Sequence, residues 1–559
     1  MRQTAVCKAS GLNEEPPHDL DQEALEIALT VALMTNTIPV DETHVMRKVV
    51  IDGSSPYGFQ RTAIVALNGG LEVDSKQIPI QTICVEEDAC RKTGEKGSTI
   101  SYRLDRLGVP LIEVVTGPVI DSPKQAEEVA LALGRILRAT GRVKRGIGTI
   151  RQDLNISITG GALVEIKGVQ ELELVSTVVA NEVQRQLTLL KIRDELVIRG
   201  VKEGDFKDNI IDVTKIFTTT KCRVIEEALE NGCKVMAVVL PKLSGLLRIE
   251  VLPGIRFGTE LSDYAKFWGR VGGIFHTDEL PSYGITEEEV SKLEAYLKTA
   301  NGDTIIFVAD ADDNAIDALK AVVGRMKTAL VKIPSETRAA YPEGTTRYSR
   351  PRPGAARMYP ETDIPPVPIT MGLLKKIRES LPEPLETKLT RLMNDYGLNR
   401  KLASQVLNSD YYDVLEKIVL QTKISASFIA ATLTETFKNM ERRGIDVNLL
   451  SENLIEGAFT LADSGTVAKE AIPEILTWMI KHEGIELNDA VEVLGLGMAS
   501  EEELAKIVDR VVKENAGLIQ ERKINALGPL MGVVMKDLRG KIDAKKVSQL
   551  IKKRIEGTF

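Results

Sequence analysis

Carboxylates crowd one stretch of this chain. The triplet Glu86-Glu87-Asp88 closes the apolar run TICV, and Glu113 stands inside the apolar run PLIEVV. A carboxylate beside an apolar wall is costly unless a cation or a strong donor meets it. Two such clusters brought together would make an oxygen-ligand site for Mg²⁺. A solvated turn after a strand gives the same acidic triplet, so spacing alone leaves both readings open. A second pattern lies in RQDLNISI, where Arg151, Asp153 and Asn155 alternate. On a strand, residues i, i+2 and i+4 share a face, so all three can enter one cleft; an exposed polar face would look alike. Glu165 and Lys167 of EIKGV share a face for the same reason, and Lys167 can meet a phosphate or a cross-strand carboxylate. In SSPYGFQRT, residues 54–62, Gly58 allows close backbone approach, and Gln60 and Arg61 can reach nucleotide phosphates. Neither a Gly-x-x-x-x-Gly-Lys-Ser/Thr loop nor a Gly-x-Gly-x-x-Gly turn occurs, so no nucleotide fingerprint supports that reading. The four histidines, His18, His44, His276 and His482, lie outside the acidic blocks and read as structural.

These side chains need a scaffold. Residues 1–257 alternate short β-type runs with helical stretches and read as an α+β body. Leu20–Met34 has a helical apolar face. Val49–Ile51, Thr62–Leu67, Thr82–Val85, Leu111–Val115 and Asn155–Ile158 read as strands. Ser122-Pro123 opens a helix, where proline's missing N–H costs nothing. From residue 258 to 330 aromatics gather (Tyr264, Phe267, Trp268, Phe275, Tyr283), with two strand-like runs and two helices. Residues 331–380 read as the return to the body, through a loop rich in proline and arginine over 334–368. Arg338, Arg347, Arg350, Arg352 and Arg357 there face only Glu336 and Glu343, so phosphate contacts compete with plain solvation. Residues 381–465 and 466–559 read as two helical domains. Lys536–Arg554 holds eight lysines and arginines against Asp537 and Asp543. With Asp543 as its cap, a helix here turns Val547, Leu550, Ile551 and Ile555 inward and Lys545, Lys546, Lys552 and Lys553 to solvent. That face is a solvated surface or a nucleic-acid backbone contact.

Four segments carry a resemblance: IQTICVEEDA, YRLDRLGVPLIEVVTGPVIDSP, RQDLNISI and EIKGVQEL occur in that order. Together they resemble the GatB/GatE family of tRNA-dependent amidotransferase subunits over nearly the whole chain. HVMRKVVIDGSSPYGFQRTAIV and the 258–330 module, which is similar to the insertion of bacterial-type aspartyl-tRNA synthetases, point to the GatE branch. GPLMGVVMK is similar to the tail shared with YqeY-like proteins. The resemblance implies a multidomain α+β fold and a two-step ligase reaction on glutamate attached to tRNA(Gln): phosphorylation by ATP, then amidation by ammonia from an asparaginase-like amidohydrolase partner of the GatD type. It implies ATP and Mg²⁺, with Glu86 and Glu113 as metal ligands and Glu87 and Asp88 as orienting groups. Arg151, Asp153 and Lys167 are implied around the reacting groups, and Gly58, Gln60, Arg61, Asn155 and Glu165 around the nucleotide. It further implies a cytoplasmic heterodimer or heterotetramer with no membrane. The family's opening strand, with its Gly-x-Glu-x-His motif, is absent from the chain, which implies an incomplete metal site and a body that folds less well than the insertion and tail. Two rival readings remain: a tRNA-binding adaptor without catalysis, and a Mg²⁺/ATP ligase acting on a small carboxylic acid.

Composition sets outer bounds. At 559 residues the chain is too long for one core, and 43% hydrophobic with 27% charged residues describes a globular protein. The five cysteines (Cys7, Cys84, Cys90, Cys222, Cys233) show no Cys-x-x-Cys pairing and read as reduced thiols. No apolar run is long enough to span a bilayer. The net charge of −8 neither supports nor opposes nucleic-acid binding, because local patches can have the opposite sign.

Overall fold

The computed structural model describes residues 18–50, 53–96, 99–144, 148–352, 358–482, 484–497, 501–538 and 544–556. Cys7, Ile51, Arg357 and Asp543 lie outside them, as does the side chain of Lys545. The chain divides into a unit ending at Leu381 and a unit from Pro382 onward. The first is α+β and the second is helical.

The body is built on a long hairpin, Phe59–Val73 with Lys76–Glu87. Asp74 and Ser75 both take positive φ at its tip, as tight hairpin turns demand. The sheet order runs Met358–Pro360, Val45–Val49, Phe59–Val73, Lys76–Glu87, Pro110–Thr116, with Ile38–Pro39 also on the first hairpin strand. Helix Gln22–Met34, capped by Asp21, packs Leu25, Ala28, Leu29 and Ala32 against Val65, Ile83 and Val85. The pleat therefore sends one set of residues under that helix and leaves the alternate set, including Ile64, Glu86 and Glu113, on the other face. Strand Val45–Val49 lies earlier than the expected Val49–Ile51, because its Val45 joins Ala63 and Ile364 in a small apolar cluster.

A second sheet orders Thr346–Pro351, Glu336–Ala340, Val164–Val169 and Gln152–Ile156. The first pair corrects the expected loop: residues 336–351 form a hairpin that reaches Pro351 and turns through Tyr341–Thr345. Its prolines sit at the turn and the strand end, where no ladder donor is required. Helix Pro123–Ala139 begins as expected, with Ser122 accepting from the Gln125 N–H at 3.3 Å. Helix Leu172–Ile198 packs beside it and beneath the sheet.

The inserted module has its own antiparallel sheet, ordered Ile211–Asp212, Lys234–Leu240, Thr304–Asp310, Phe275–His276. The seven-pair register between Lys234–Leu240 and Thr304–Asp310 crosses residue 258, so the module gathers chain from well before that point. Phe275 and Phe217 stack on Phe307 at 5.4 and 5.2 Å in its core, whereas Phe267, Trp268 and Tyr283 remain exposed.

In the helical unit one apolar cluster runs from Leu389 to Leu496 and a second from Leu504 to Ile555. Residues 467–479 pack with the first cluster, so packing divides the helices nearer 500 than 466. In the final helix, Ala544–Glu556, Val547, Ile551 and Ile555 are buried while Lys546, Lys552 and Lys553 are exposed.

Candidate active site

The hairpin register aligns Cys84 with Ile64 and with Glu113, and Glu86 with Thr62, all on the face that the first helix leaves open. Lys48 pairs with Gln60 on the neighbouring strand, and its Nζ reaches Glu86 Oε1 at 2.8 Å. Gln60 Nε2 lies 3.5 Å from Glu86 Oε2 and donates to the Glu87 carbonyl. The two candidate metal carboxylates are thus neighbours on one surface. Protein around Glu113 and the Glu86 carboxylate beside it push the Glu113 carboxyl up to about 7, against the opposing pull of Lys48. Burial by the surrounding protein is the larger cause and the Glu86 charge adds to it, although water still reaches the open edge of the side chain. Cys84 lies beneath the pair, and burial with the same two carboxylates raises its thiol to about 11. It is therefore a packed thiol, not a thiolate nucleophile.

The second sheet supplies the opposite charge. Asn155, Glu165, Thr337 and Arg350 align across its four strands. Thr337 Oγ1 donates to Glu165 Oε2 at 2.8 Å. Lys167 Nζ sits 2.8 Å from Asp153 Oδ2 and 3.2 Å from Glu165 Oε1. Burial alone would lower the Lys167 ammonium, but Asp153 and Glu165 outweigh it and raise it. Burial likewise would raise Glu165; Lys167, Thr337 and Arg350 bring it below the usual carboxylate range. The Asp153 charge also contributes to the rise at Glu113, so the two sheets meet electrostatically. Asp153 and Asn155 share the exposed face of strand Gln152–Ile156, and Arg151, also exposed, immediately precedes it.

Four candidates belong elsewhere: Arg61, Glu87, Asp88 and Gly58. Arg61 is offset by one residue from Gln60, and a one-residue step reverses the face. Its side chain is buried beside Phe59, with Nε 3.2 Å from Glu361 Oε2 and Nη1 3.4 Å from Glu87 Oε1. Arg47 clamps the same Glu361 at 2.5 and 2.7 Å. Arg61 and Glu87 thus form a scaffold cluster behind the sheet. Asp88 is buried and paired with Arg106 Nε at 2.7 Å and Arg151 Nη2 at 3.1 Å. It orients Arg151 and stands apart from the acid pair. Gly58 takes φ +77°, and a Cβ there would meet no atom within 4 Å, so its requirement is the turn itself.

Sequence reasoning missed Lys48. Its signal was available: in VMRKV the strand places Lys48 opposite Gln60, two residues from Thr62 and hence from Glu86. The arginines of the return segment, for which phosphate contact and plain solvation are the readings open in the sequence, include two held by carboxylates. Arg338 is fully buried, with Nη1 2.6 Å from Glu336 and Nη2 3.0 Å from Glu260. Arg347 makes a bidentate pair with Asp263 at 2.6 and 2.5 Å.

Among the described residues, no group of three or more His, Cys, Asp or Glu side chains is arranged to hold a metal ion. Two facing carboxylates nevertheless fit Mg²⁺, which is commonly held by one or two protein carboxylates and completed by water and substrate phosphates. The raised Glu113 carboxyl fits too, because a divalent cation would relieve the repulsion that raises it.

The model of the GatB/GatE catalytic domain matches residues 3–375, and that of the GatB domain matches residues 413–555. The chain belongs to the GatB/GatE family. It is 48% identical over 547 residues to the E subunit of the glutamyl-tRNA(Gln) amidotransferase of Aeropyrum pernix, covering 97% of this chain and 85% of that protein. The protein of the same name from Methanocaldococcus jannaschii is 47% identical over 548 residues, covering 98% and 86%. That of Pyrococcus horikoshii is 46% identical over 545 residues, covering 98% and 85%. The three matches span the inserted module as well as the body and helices. No helix among the described residues is long and apolar enough to cross a membrane.

Proposed function

We propose that this chain is the component of a tRNA-dependent amidotransferase that converts glutamate on misacylated Glu-tRNA(Gln) to glutamine. The observation that carries the reading is the Glu86–Glu113 pair on the open sheet face, with Lys48 and Lys167 nearby. In the first step a γ-carboxylate oxygen attacks the terminal phosphorus of ATP and ADP departs. In the second, ammonia attacks the acyl phosphate carbon, inorganic phosphate departs, and a proton is lost. Ammonia is expected from a partner amidohydrolase of the asparaginase type.

Both reactants of the first step are anionic, so positioning and charge neutralisation dominate its barrier. Glu86 and Glu113 would hold Mg²⁺, which when bound supplies charge neutralisation at the phosphates. Lys48 holds Glu86 turned to the open face. Lys167, gripped by Asp153 and Glu165, presents a fixed cation on the adjoining sheet. Gln60, Asn155 and Glu165 offer donors and acceptors to the nucleotide, and Arg151 is aimed by Asp88. The exposed lysines of the last helix suit contact with the tRNA backbone.

The test supplies the chain with Mg-ATP, ammonium and Glu-tRNA(Gln), and follows Gln-tRNA and ADP. Product that requires both tRNA and ATP supports the reading. Turnover of a free carboxylic acid without tRNA would point to a small-molecule ligase. Salt-sensitive tRNA binding with no product, unchanged by Glu86→Gln, would point to an adaptor.

A further inference from the structure

A cavity of about 520 Å³ opens between helices Phe257–Gly269 and Asp312–Val331. Its volume falls in the range of small-ligand pockets. Tyr264 and Trp268 line one side; Asp317, Lys320, Arg325 and Pro334 line the rest. None of Glu86, Glu113, Asp153 or Lys167 contributes to it.

Two features mark it as built for a ligand. The first is Arg325, a buried guanidinium whose Nε and Nη1 meet no hydrogen-bond partner among the described residues. Its Nη2 approaches Glu260 Oε2 only to 3.8 Å, and the guanidinium rests over the Tyr264 and Phe257 rings at 5.5 and 5.7 Å. Buried N–H groups rarely go unpaired, and those of arginine favour phosphate and carboxylate. The second is an exposed aromatic ring at the rim, Trp268, packed among other rings. Trp268 is 49% exposed and meets the edge of Phe267 at 5.1 Å, and Phe267 in turn meets the edge of Tyr348 at 5.3 Å. Tyr264 stacks on the same Tyr348 at 4.0 Å. A fixed exposed ring is a stacking platform for a planar group. Lys320 and Arg325 against Asp317 leave the lining with a net positive charge.

We propose that this cavity binds a nucleotide, with its base on the exposed Trp268 ring and its phosphate drawn to Lys320 and Arg325. The site is separate from the acid pair and does not depend on the proposed reaction. The nucleotide can be free or an unpaired residue of an RNA, and the two sources are told apart by probe.

The chain has two tryptophans, so Trp478→Phe leaves Trp268 as the single indole reporter. AMP is expected to quench its emission saturably, and adenosine and inorganic phosphate to do so more weakly. Lys320→Glu should weaken AMP at least tenfold, and Asp317→Lys should tighten it several-fold; both side chains are exposed, so the fold is spared. The signal should survive Glu113→Gln, which separates this site from the reaction site. A single-stranded RNA hexamer that quenches in the same Lys320-dependent way while AMP does not assigns the nucleotide to RNA. Absence of a saturable quench by both probes, or a quench unchanged by both charge variants, overturns the proposal.

Discussion

Two ionic clusters in the N-terminal unit use the same side-chain types to opposite ends. Behind the second sheet, Arg185, Arg325 and Arg338 meet Glu182, Glu260 and Glu336, all nearly inaccessible to water. Arg185 bonds Glu182 at 2.8 Å and Glu260 at 2.9 Å, and Tyr264 donates to Glu336. Burial alone would raise Glu260, yet Arg185, Arg338 and Arg325 overcome it and hold the carboxyl well below its ordinary range. By charge three cations answer three anions, but Arg325 only approaches Glu260 to 3.8 Å; the ion pairs of Arg185 and Arg338 tie together helices Leu172–Ile198 and Phe257–Gly269 and strand Glu336–Ala340. On the open sheet face, Glu86 and Glu113 share Lys48, and the Glu113 carboxyl rises. A balanced buried network fixes geometry, whereas an unbalanced accessible pair is poised to take a cation. Charge balance, more than burial, separates the structural cluster from the reactive one.

Breaking the balanced cluster should have the largest effect on stability. Arg185→Met leaves three buried carboxylates short of a cation and is expected to cost about 3–5 kcal/mol, read from urea unfolding of Trp268 emission in Trp478→Phe protein. The same kind of substitution at the open pair should act on turnover instead. Glu113→Gln removes a like charge and should leave the unfolding midpoint unchanged or raised. It should lower tRNA-dependent ADP formation on the order of 100-fold, the loss of about 3 kcal/mol of transition-state stabilisation.

A pH titration sharpens the contrast. Folding raises the Glu113 carboxyl from 4.5 to about 7, so between those values the folded protein holds a proton that the unfolded chain has released. Stability from this group therefore falls as pH rises through that window. Carboxyl-labelled glutamate, assigned with Glu113→Gln, should show a midpoint near 7 that Mg²⁺ lowers and EDTA restores. Glu260 should show no titration in the same range. Only a small loss of stability is expected at Lys167, which is half exposed: Lys167→Met should change stability by about 1 kcal/mol or less while still reducing turnover.

Much of the scaffold was legible because its signals are local. The Ser122-Pro123 cap, the apolar stripe of the first helix and the inward face of the last helix follow from nearest-neighbour chemistry. The alternation of Asp153 and Asn155, with Arg151 just ahead of the strand, likewise fixed their common face. Alternation did not reveal that Asp88, 63 residues away, would claim Arg151. Gln60 and Arg61 were grouped by sequence adjacency, although the pleat sends them to opposite faces. In the arginine-rich return segment only the local carboxylates Glu336 and Glu343 are visible in the sequence, because Glu260 and Asp263, which hold Arg338 and Arg347, come from a distant helix. Glu182 and Arg185 left a trace, two charges on the same helix face as Val175, Val178 and Leu189, which only burial could explain.

The most direct test of the account is a single-turnover measurement of ADP from Mg-ATP and Glu-tRNA(Gln), without ammonia, comparing the wild-type chain with Glu113→Gln. A burst of ADP that requires Glu-tRNA(Gln) and is lost in the variant, with unfolding unchanged, is the predicted result. An equal burst in both proteins would contradict the assignment of the open acid pair as the seat of the reaction.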